Sequence, residues 1–223
     1  MCLCMGVKNQ RYGCLNYVKK TVCALALAGT GCTLLFYSPV EADGSGSDDA
    51  TAVIESFQET LLSVMKDAHN LGYKGRYESL ASEVRSTHDL HSIARIVTGR
   101  YWRRFSSEQK SQFLAVFAEL SIATYAHKFD GYDGEVFEIV SESDMERGDK
   151  LVRTVLRKAN GDEVSFDYQL RKKENKWIIL NIIVDGVSDL ALKRSEYTGI
   201  LRREGFDTLM KKLREKIALY SRP

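Results

Sequence analysis

The spacing of apolar residues along this chain changes twice, from a helical period to strict alternation and back again. Up to about residue 129, apolar positions recur every three or four residues, the spacing of one face of an α-helix. Asp89 is a residue type that caps helix N-termini. Ser106, followed three residues later by Gln109, has the spacing of a capping box. The pattern predicts four helices, over residues 50–70, 76–84, 89–99 and 106–129.

Between residues 136 and 184 the period shortens to two, which is typical of β-strands. Val164, Phe166 and Tyr168 alternate with polar residues, so one face of that strand should be apolar and the other hydrated. The last strand is apolar on both sides and should be covered on both faces. Short turns separate the segments, and we expect an antiparallel meander of four strands, at residues 136–142, 151–158, 163–171 and 177–184.

After Asp185 and Gly186 the helical period returns, and two C-terminal helices are expected on either side of Gly205. The two prolines, Pro39 and Pro223, lie outside the predicted elements, so no proline interrupts them. Helices, then strands, then helices indicate an α+β fold. We expect a four-stranded antiparallel sheet wrapped by the N-terminal and C-terminal helices.

The first 42 residues differ in composition from the rest. They contain all 5 cysteines, a cationic start, an apolar run from Val22 to Phe36 and the small-x-small pattern that ends at Ala42. We therefore expect a signal peptide at residues 1–42, a flexible linker at 43–50 and a single domain at 51–220, exported to the periplasm. The alternatives are a retained membrane anchor, for which the run is short, and lipidation of Cys32.

The composition after residue 42 narrows the possible functions. Without cysteine, this part of the chain cannot form a disulfide, a thiolate nucleophile or a cysteine-ligated metal site. Its acidic and basic residues nearly balance, with one acidic residue in excess, which argues against nucleic acid as the main partner.

Two motifs invite a catalytic or metal-binding interpretation. His88 and His91 could place two imidazoles on one helical turn, but a third ligand would have to come from elsewhere. Ser188 follows Gly186, yet Leu190 stands where a nucleophile elbow needs a second glycine, so a helix cap explains Ser188 better. We expect no enzyme, no catalytic residue, no metal and no cofactor.

Five segments of the chain form a specific set in their order and spacing. They are GRYWR at 99–103, SEQ at 107–109, WII at 177–179, DGVS at 185–188 and ILRREGFDTL at 200–209. Together they resemble the MlaC (toluene-tolerance) family of periplasmic phospholipid-binding proteins, from about Thr51 to Lys216. Asn181 and Asp185 depart from the acidic residue and the glutamate usual in that family. With residues 188–197, this departure resembles the hopanoid-associated HpnM-like branch.

The resemblance implies the substrate-binding component of an ABC-type lipid transport system, shuttling phospholipid between the outer and inner membranes. The implied partners are an inner-membrane ABC lipid transporter complex and an outer-membrane lipoprotein, and the protein is expected to be a monomer. The cargo is a phospholipid or a hopanoid-type lipid. A small periplasmic enzyme on an α+β scaffold, or an adaptor with a filled core, remains the alternative.

A carrier of this kind needs an apolar lipid pocket inside the fold, lined by one sheet face and by broad-faced helices. The predicted lining residues on the sheet are Phe137, Ile139, Val155, Phe166, Tyr168 and Ile182. Those on the helices are Ile54, Phe57, Leu61, Val97, Tyr101, Trp102, Phe117 and Leu120. For each of them the alternative is an ordinary place in the core.

Overall fold

The computed structural model describes residues 49–222, so the predicted signal peptide and nearly all of the predicted linker lie outside the described residues. The helices are α1 (Ala50–Lys66), α2 (Ala68–Thr87), α3 (Leu90–Thr98), a 3₁₀ helix (Gly99–Arg104), α4 (Ser107–Lys128), α5 (Asp189–Arg203) and α6 (Gly205–Tyr220). Among the described residues, no helix is both long and apolar enough to cross a bilayer.

The strands are β1 (Val136–Asp144), β2 (Lys150–Arg157), β3 (Glu163–Lys173), β4 (Lys176–Val184) and β5 (Val187–Ser188). They pair antiparallel in the order β1-β2-β3-β4-β5, which confirms the predicted meander. The prediction of four strands is wrong by one short strand. Asp185 and Gly186 both have positive φ, so they reverse the chain tightly enough for β5 to pair with the end of β4.

The predicted bounds of the first two helices need correction. α1 ends at Lys66, four residues earlier than expected, and α2 begins almost at once and runs to Thr87. Gly72 interrupts α2 with φ 57° and ψ −176°, a conformation that glycine adopts without a steric penalty. The break changes the direction of the helix, and Leu80 and Val84 beyond it are buried in the same cluster as the apolar residues of α1.

The sheet has two unlike faces. On β2, Val152, Thr154 and Leu156 are buried, whereas Arg153 and Arg157, which alternate with them, are exposed. The buried side faces α1 and is called the inner face; the other is the outer face. On the outer face, Arg153 lies 3.8 Å from Asp167 and Arg157 lies 2.9 Å from Glu138. On β3, Val164, Tyr168 and Leu170 are buried, which confirms the predicted alternation.

β4 is the strand most enclosed by helices. It contacts α1 and α2 as well as α3 and α5, and Leu180 is only 3% exposed. The register shifts between Gln169 and Leu170 of β3, so Ile179 and Ile182 of β4 both pair with inner-face residues. This arrangement agrees with a strand that is apolar on both sides.

The buried apolar residues form two separate clusters, and α4 contributes to both. The sheet-side cluster lies between the inner face, α1, α2 and the end of α4, and includes Ile54, Phe57, Leu61, Leu80, Val84, Ile122, Ala126, Val152, Tyr168, Leu170 and Ile179. The helix-side cluster lies among α3, the 3₁₀ helix, α4, α5 and α6, and includes Ala94, Val97, Phe105, Phe113, Phe117, Leu120, Tyr197, Ile200, Leu201, Leu209 and Leu213.

Candidate functional site

Phe57 of α1 stands at the centre of the inner face. Its side chain is fully buried, and its ring meets His88, Tyr125 and Tyr168 edge-on at centroid distances of 5.1, 5.3 and 6.3 Å. Edge-to-face packing of this kind adds to the stabilisation that burial alone provides. The ring therefore joins α1, the end of α2, α4 and β3 in one contact set.

A chain of polar side chains crosses the same buried region. The Nε2 of Gln58 donates to the hydroxyl oxygen of Thr154 at 2.9 Å and to that of Tyr168 at 3.4 Å. Thr154 donates in turn to the Phe166 carbonyl at 3.0 Å. Among the described residues, no buried side-chain nitrogen or oxygen lacks a hydrogen-bond partner. These bonds fix the height of α1 above the sheet, because a displaced Gln58 would leave buried polar atoms unpaired.

His88 completes this buried polar region at the end of α2. Its two ring nitrogens lie 2.9 Å from the Thr87 hydroxyl and 2.9 Å from the Tyr125 hydroxyl. Burial lowers the pKa of His88 to about 4, so the imidazole is neutral near pH 7. Burial also raises the pKa of Tyr125 well above its ordinary value. Both groups thus act as neutral hydrogen-bonding partners.

Towards one end of the inner face, the apolar surface reaches solvent. Phe137, Ile139, Phe166 and Ile182 are half-buried and pack against the sheet-side cluster. The Phe137 and Phe166 rings lie 5.9 Å apart, and Phe166 stacks on Tyr168 at 6.4 Å. These four residues, Phe137, Ile139, Phe166 and Ile182, are called the apolar rim. The apolar rim extends the surface of the sheet-side cluster towards solvent.

The structure brings together only some of the predicted lining residues. The apolar rim, Ile54, Phe57, Leu61 and Tyr168 share the inner face and its cover. Val155 does not: it pairs with Glu138 and Ser165 and lies on the outer face. Its placement among the lining residues was wrong because both faces of β2 carry apolar side chains, and the pattern of β2 alone did not separate them.

The predicted helix residues beyond α1 lie elsewhere. Val97, Tyr101, Trp102, Phe117 and Leu120 belong to the helix-side cluster or pack against it. Sequence spacing could not reveal this division, since it shows which side of a helix is apolar and not which neighbour that side contacts.

An enclosed pocket was expected between the sheet and the helices, and protein side chains fill most of that position. Phe57 and Leu61 are fully buried there and Tyr168 is 1% exposed. Two open grooves occur on the helical part of the fold instead. One of about 400 Å³ lies between the 3₁₀ helix and α5, and one of about 390 Å³ is lined by residues of α2, α4 and α6 with Ser221. Tyr101 is the one predicted lining residue that borders either groove.

The two motifs with catalytic or metal-binding interpretations have structural roles. His88 is buried against Tyr125, whereas the His91 ring meets Trp102 edge-on at 5.7 Å. Within residues 49–222, no group of three or more histidine, cysteine and acidic residues could hold a metal ion. Ser188 accepts a hydrogen bond from the Ala191 amide at 3.1 Å and caps α5, as predicted.

The chain is similar to known proteins in sequence and in fold. The family model described as "MlaC protein" matches residues 55–215. The "Intermembrane phospholipid transport system binding protein MlaC" of Haemophilus influenzae is 28% identical over 123 residues, which covers 53% of this chain and 58% of that protein. The match therefore spans little more than half the length of that relative.

A solved structure extends the similarity over most of the fold. It is that of the phospholipid-binding protein from Ralstonia solanacearum in complex with a phospholipid. The two structures superpose with a TM-score of 0.69 at 22% sequence identity, covering 78% of this chain and 99% of that one. At this identity, the similarity establishes a shared fold.

Proposed function

Because this chain belongs to the MlaC protein family, we propose that it is a phospholipid-binding carrier that moves lipid between two membranes. The Haemophilus influenzae relative is named as a binding protein of an intermembrane phospholipid transport system, and the Ralstonia solanacearum structure contains a phospholipid. The observation in this chain that carries the proposal is the apolar rim, which joins the surface to the sheet-side cluster.

The physical need for a carrier comes from the acyl chains. Two chains contain about 30 methylene groups, and exposing each to water costs roughly 0.8 kcal/mol. The barrier to free diffusion of a lipid through water is therefore roughly 20 kcal/mol or more. A protein that covers most of this apolar surface removes most of the barrier. No bond is made or broken, so the proposal requires no catalytic group.

We place the acyl chains along the apolar rim and beneath α1. The rim supplies two phenylalanine rings and two isoleucines with no charge among them. Deeper entry would require the α1 side chains Phe57 and Leu61 to move away from the sheet. Gln58 would then lose its hydrogen bonds to Thr154 and Tyr168, and Thr51 its bond to Glu142 (2.7 Å). Those bonds oppose opening, and bound lipid must compensate for their loss.

We propose export to the periplasm by a signal peptide cleaved near Ala42, which leaves the domain at residues 51–220 as a monomeric carrier. Its partners would be an inner-membrane ABC lipid transporter complex and an outer-membrane lipoprotein. The relative's name supports an intermembrane transport system.

The cargo is proposed to be a glycerophospholipid, with a hopanoid-type lipid as the alternative. The residues that set this chain apart from the usual family pattern have local structural roles. Asn181 accepts hydrogen bonds from the Ser188 hydroxyl at 3.1 Å and the Leu190 amide at 3.2 Å. Asp185 accepts one from the Ser165 amide at 2.9 Å. Both stabilise the connection from β4 to α5, so their identity gives no reason to prefer a hopanoid.

A second candidate is an adaptor protein with a filled core. The observation that favours it is the packing of Phe57, Leu61 and Tyr168, which occupies the buried part of the inner face. An adaptor would be fully stable and would carry no lipid. The two candidates therefore differ in one measurable property, the lipid bound per protein.

Native mass spectrometry of the protein purified from cells tests the carrier proposal. We expect a complex with one phospholipid. Ile139→Trp, which fills the rim, should reduce the lipid-bound fraction several-fold. The control is Val155→Trp, which introduces the same side chain at a half-buried position on the outer face of the neighbouring strand. Lipid-free wild-type protein, even after incubation with phosphatidylglycerol vesicles, would favour the adaptor. An equal loss of lipid in both variants would contradict the proposed position.

A further inference from the structure

Two elements that are distant in sequence, the 3₁₀ helix and α5, meet at one groove. The 3₁₀ helix contributes Gly99, Arg100 and Tyr101, and α5 contributes Arg194, Thr198 and other residues as far as Arg202. The groove has a volume of about 400 Å³. It borders the helix-side cluster, and none of its lining residues belongs to the apolar rim.

The groove concentrates positive charge that the protein does not neutralise. Within residues 49–222, none of Arg100, Arg194 and Arg202 forms an ion pair with a carboxylate. By contrast, the outer-face Arg157 contacts both Glu138 and Glu163. Guanidinium groups held near one another without counter-charges attract an anion.

The acidic residues near the groove do not cancel this charge. Asp189 at the start of α5 pairs with Lys193, and Glu204 after its end pairs with Lys212 at 2.8 Å. Glu196 lies within α5 but does not line the groove. Every charged side chain in the lining is therefore an arginine.

Gly99 lies where the 3₁₀ helix faces α5. Its φ of 56° is a conformation that side chains disfavour. A β-carbon there would stand 3.6 Å from Thr198 Cγ2 and 3.8 Å from Arg194 Nη2, across the gap between the two elements. The 3₁₀ helix and α5 thus approach closely at this point, and the arginines stand around a concave space.

Polar groups other than the arginines are also available. Ser195 lines the groove, and its hydroxyl forms no hydrogen bond among the described residues. Arg100 donates one bond to the Tyr101 hydroxyl at 3.4 Å and lies over that ring, 5.3 Å from its centroid. This contact orients the guanidinium and leaves its other N–H groups for a ligand.

We propose that this groove binds a phosphate group. Arginine forks match phosphate oxygens through paired, charge-assisted hydrogen bonds, and a free hydroxyl supplies one more donor. A small concave space suits a compact anion better than an extended peptide or a flat bilayer. The phosphate can belong to the head of a lipid or to a free anion; the lipid version rests on the proposed function, and the free-anion version does not.

Calorimetric titration with inorganic phosphate and with glycerol 3-phosphate tests the site. The test variant is the double change Arg194→Gln and Arg202→Gln, and the control is Arg214→Gln. Arg214 is an exposed arginine of α6 that also lacks an ion pair among the described residues. We expect binding to the wild type and to the control, and affinity about tenfold weaker or worse in the double variant.

A second arm measures the phosphatidylglycerol-bound fraction of the same proteins by native mass spectrometry. If the lipid-bound fraction is lower in the double variant and unchanged in the control, the ligand is the lipid head. An unchanged fraction with weakened phosphate binding identifies a free anion. If neither quantity differs between the double variant and the control, the groove proposal is wrong. The carrier proposal would still stand in that case if Ile139→Trp lowers the lipid-bound fraction.

Discussion

The Nε2 of His88 lies 2.9 Å from the hydroxyl oxygen of Tyr125, which ties the end of α2 to α4 beside the buried ring of Phe57. The residue that follows, Asp89, donates its amide to the Ile179 carbonyl at 2.9 Å. This short segment therefore joins α2, α4 and β4, and the packing of α1 against the sheet depends on it.

The first prediction concerns pH. Burial lowers the pKa of folded His88 from 6.5 to about 4, so between these values the unfolded chain binds a proton that the folded protein does not. The free energy of unfolding should therefore fall as the pH falls from 6.5 to 4, by about 3 kcal/mol in total. Urea unfolding at pH 7, 6 and 5 measures this slope. In His88→Gln the slope should be much smaller, and a slope equal to that of the wild type would contradict the assignment.

The second prediction concerns the polar contact beneath α1. Thr154→Val should lower the free energy of unfolding by about 1–3 kcal/mol, because Gln58 loses its shorter hydrogen bond in a buried position. Gln58→Leu removes this amide but also the bond to Tyr168, so the double variant should lose less than the sum of the two single variants. Chemical unfolding of the two single variants and the double variant forms a double-mutant cycle. Strict additivity would show that the two side chains do not interact.

The third prediction separates the faces of β4 at adjacent residues. Ile182 pairs with Tyr168 on the inner face, and Ile183 pairs with Asp167 on the outer face. Ile182→Asn should weaken phospholipid binding about tenfold, because an unpaired amide would face the acyl chain. Ile183→Asn should leave binding unchanged. Titration with a fluorescent phospholipid gives both affinities, and unfolding curves show whether the two variants are equally stable. Equal affinities for the two variants would show that the apolar rim is not part of the lipid-binding site.

The fourth prediction concerns the ion pair between Arg171 and Asp149. Two bonds of 2.8 Å join them, and Gln169 adds a third at 2.9 Å. The bonds from Arg171 hold the pKa of Asp149 below its ordinary value. Asp149→Asn should therefore cost about 1–3 kcal/mol of unfolding free energy at pH 7.

The pH dependence of this effect has a definite sign. The contribution of a carboxylate with a lowered pKa is present above its ordinary pKa and is lost as the pH falls through the folded value. The deficit of Asp149→Asn should therefore shrink below about pH 4. Asp167→Asn, which breaks the more exposed pair with Arg153, serves as the control and should cost less than about 1 kcal/mol at pH 7. Equal costs for the two variants would contradict the greater contribution assigned to Asp149.

Local patterns predicted the elements well. Ser106 and Gln109 form the capping box expected from their spacing of three residues, and Asp89 caps α3. The alternation of β3 identified its buried side chains. These features depend on residues a few positions apart, whose relative geometry follows from the backbone of a helix or a strand. Export by a leader also depends only on local sequence, and it stays a prediction.

Contacts between distant residues were decided by tertiary packing. Nothing near His88 in the sequence indicates Tyr125, 37 positions away, and nothing near Gln58 indicates Thr154. Likewise, only the folded structure shows that α2 changes direction at Gly72.

The sequence by itself determined that this chain is an α+β protein with a meander sheet and apolar helix faces, because periodicity records which side of each element avoids water. Only the tertiary structure decided that those faces divide into a sheet-side and a helix-side cluster, with Val155 outside both. It also decided that Arg100 meets Arg194 and Arg202 at one groove. The physical reason is that burial is favourable against any apolar neighbour, so a pattern of burial does not specify which neighbour is chosen.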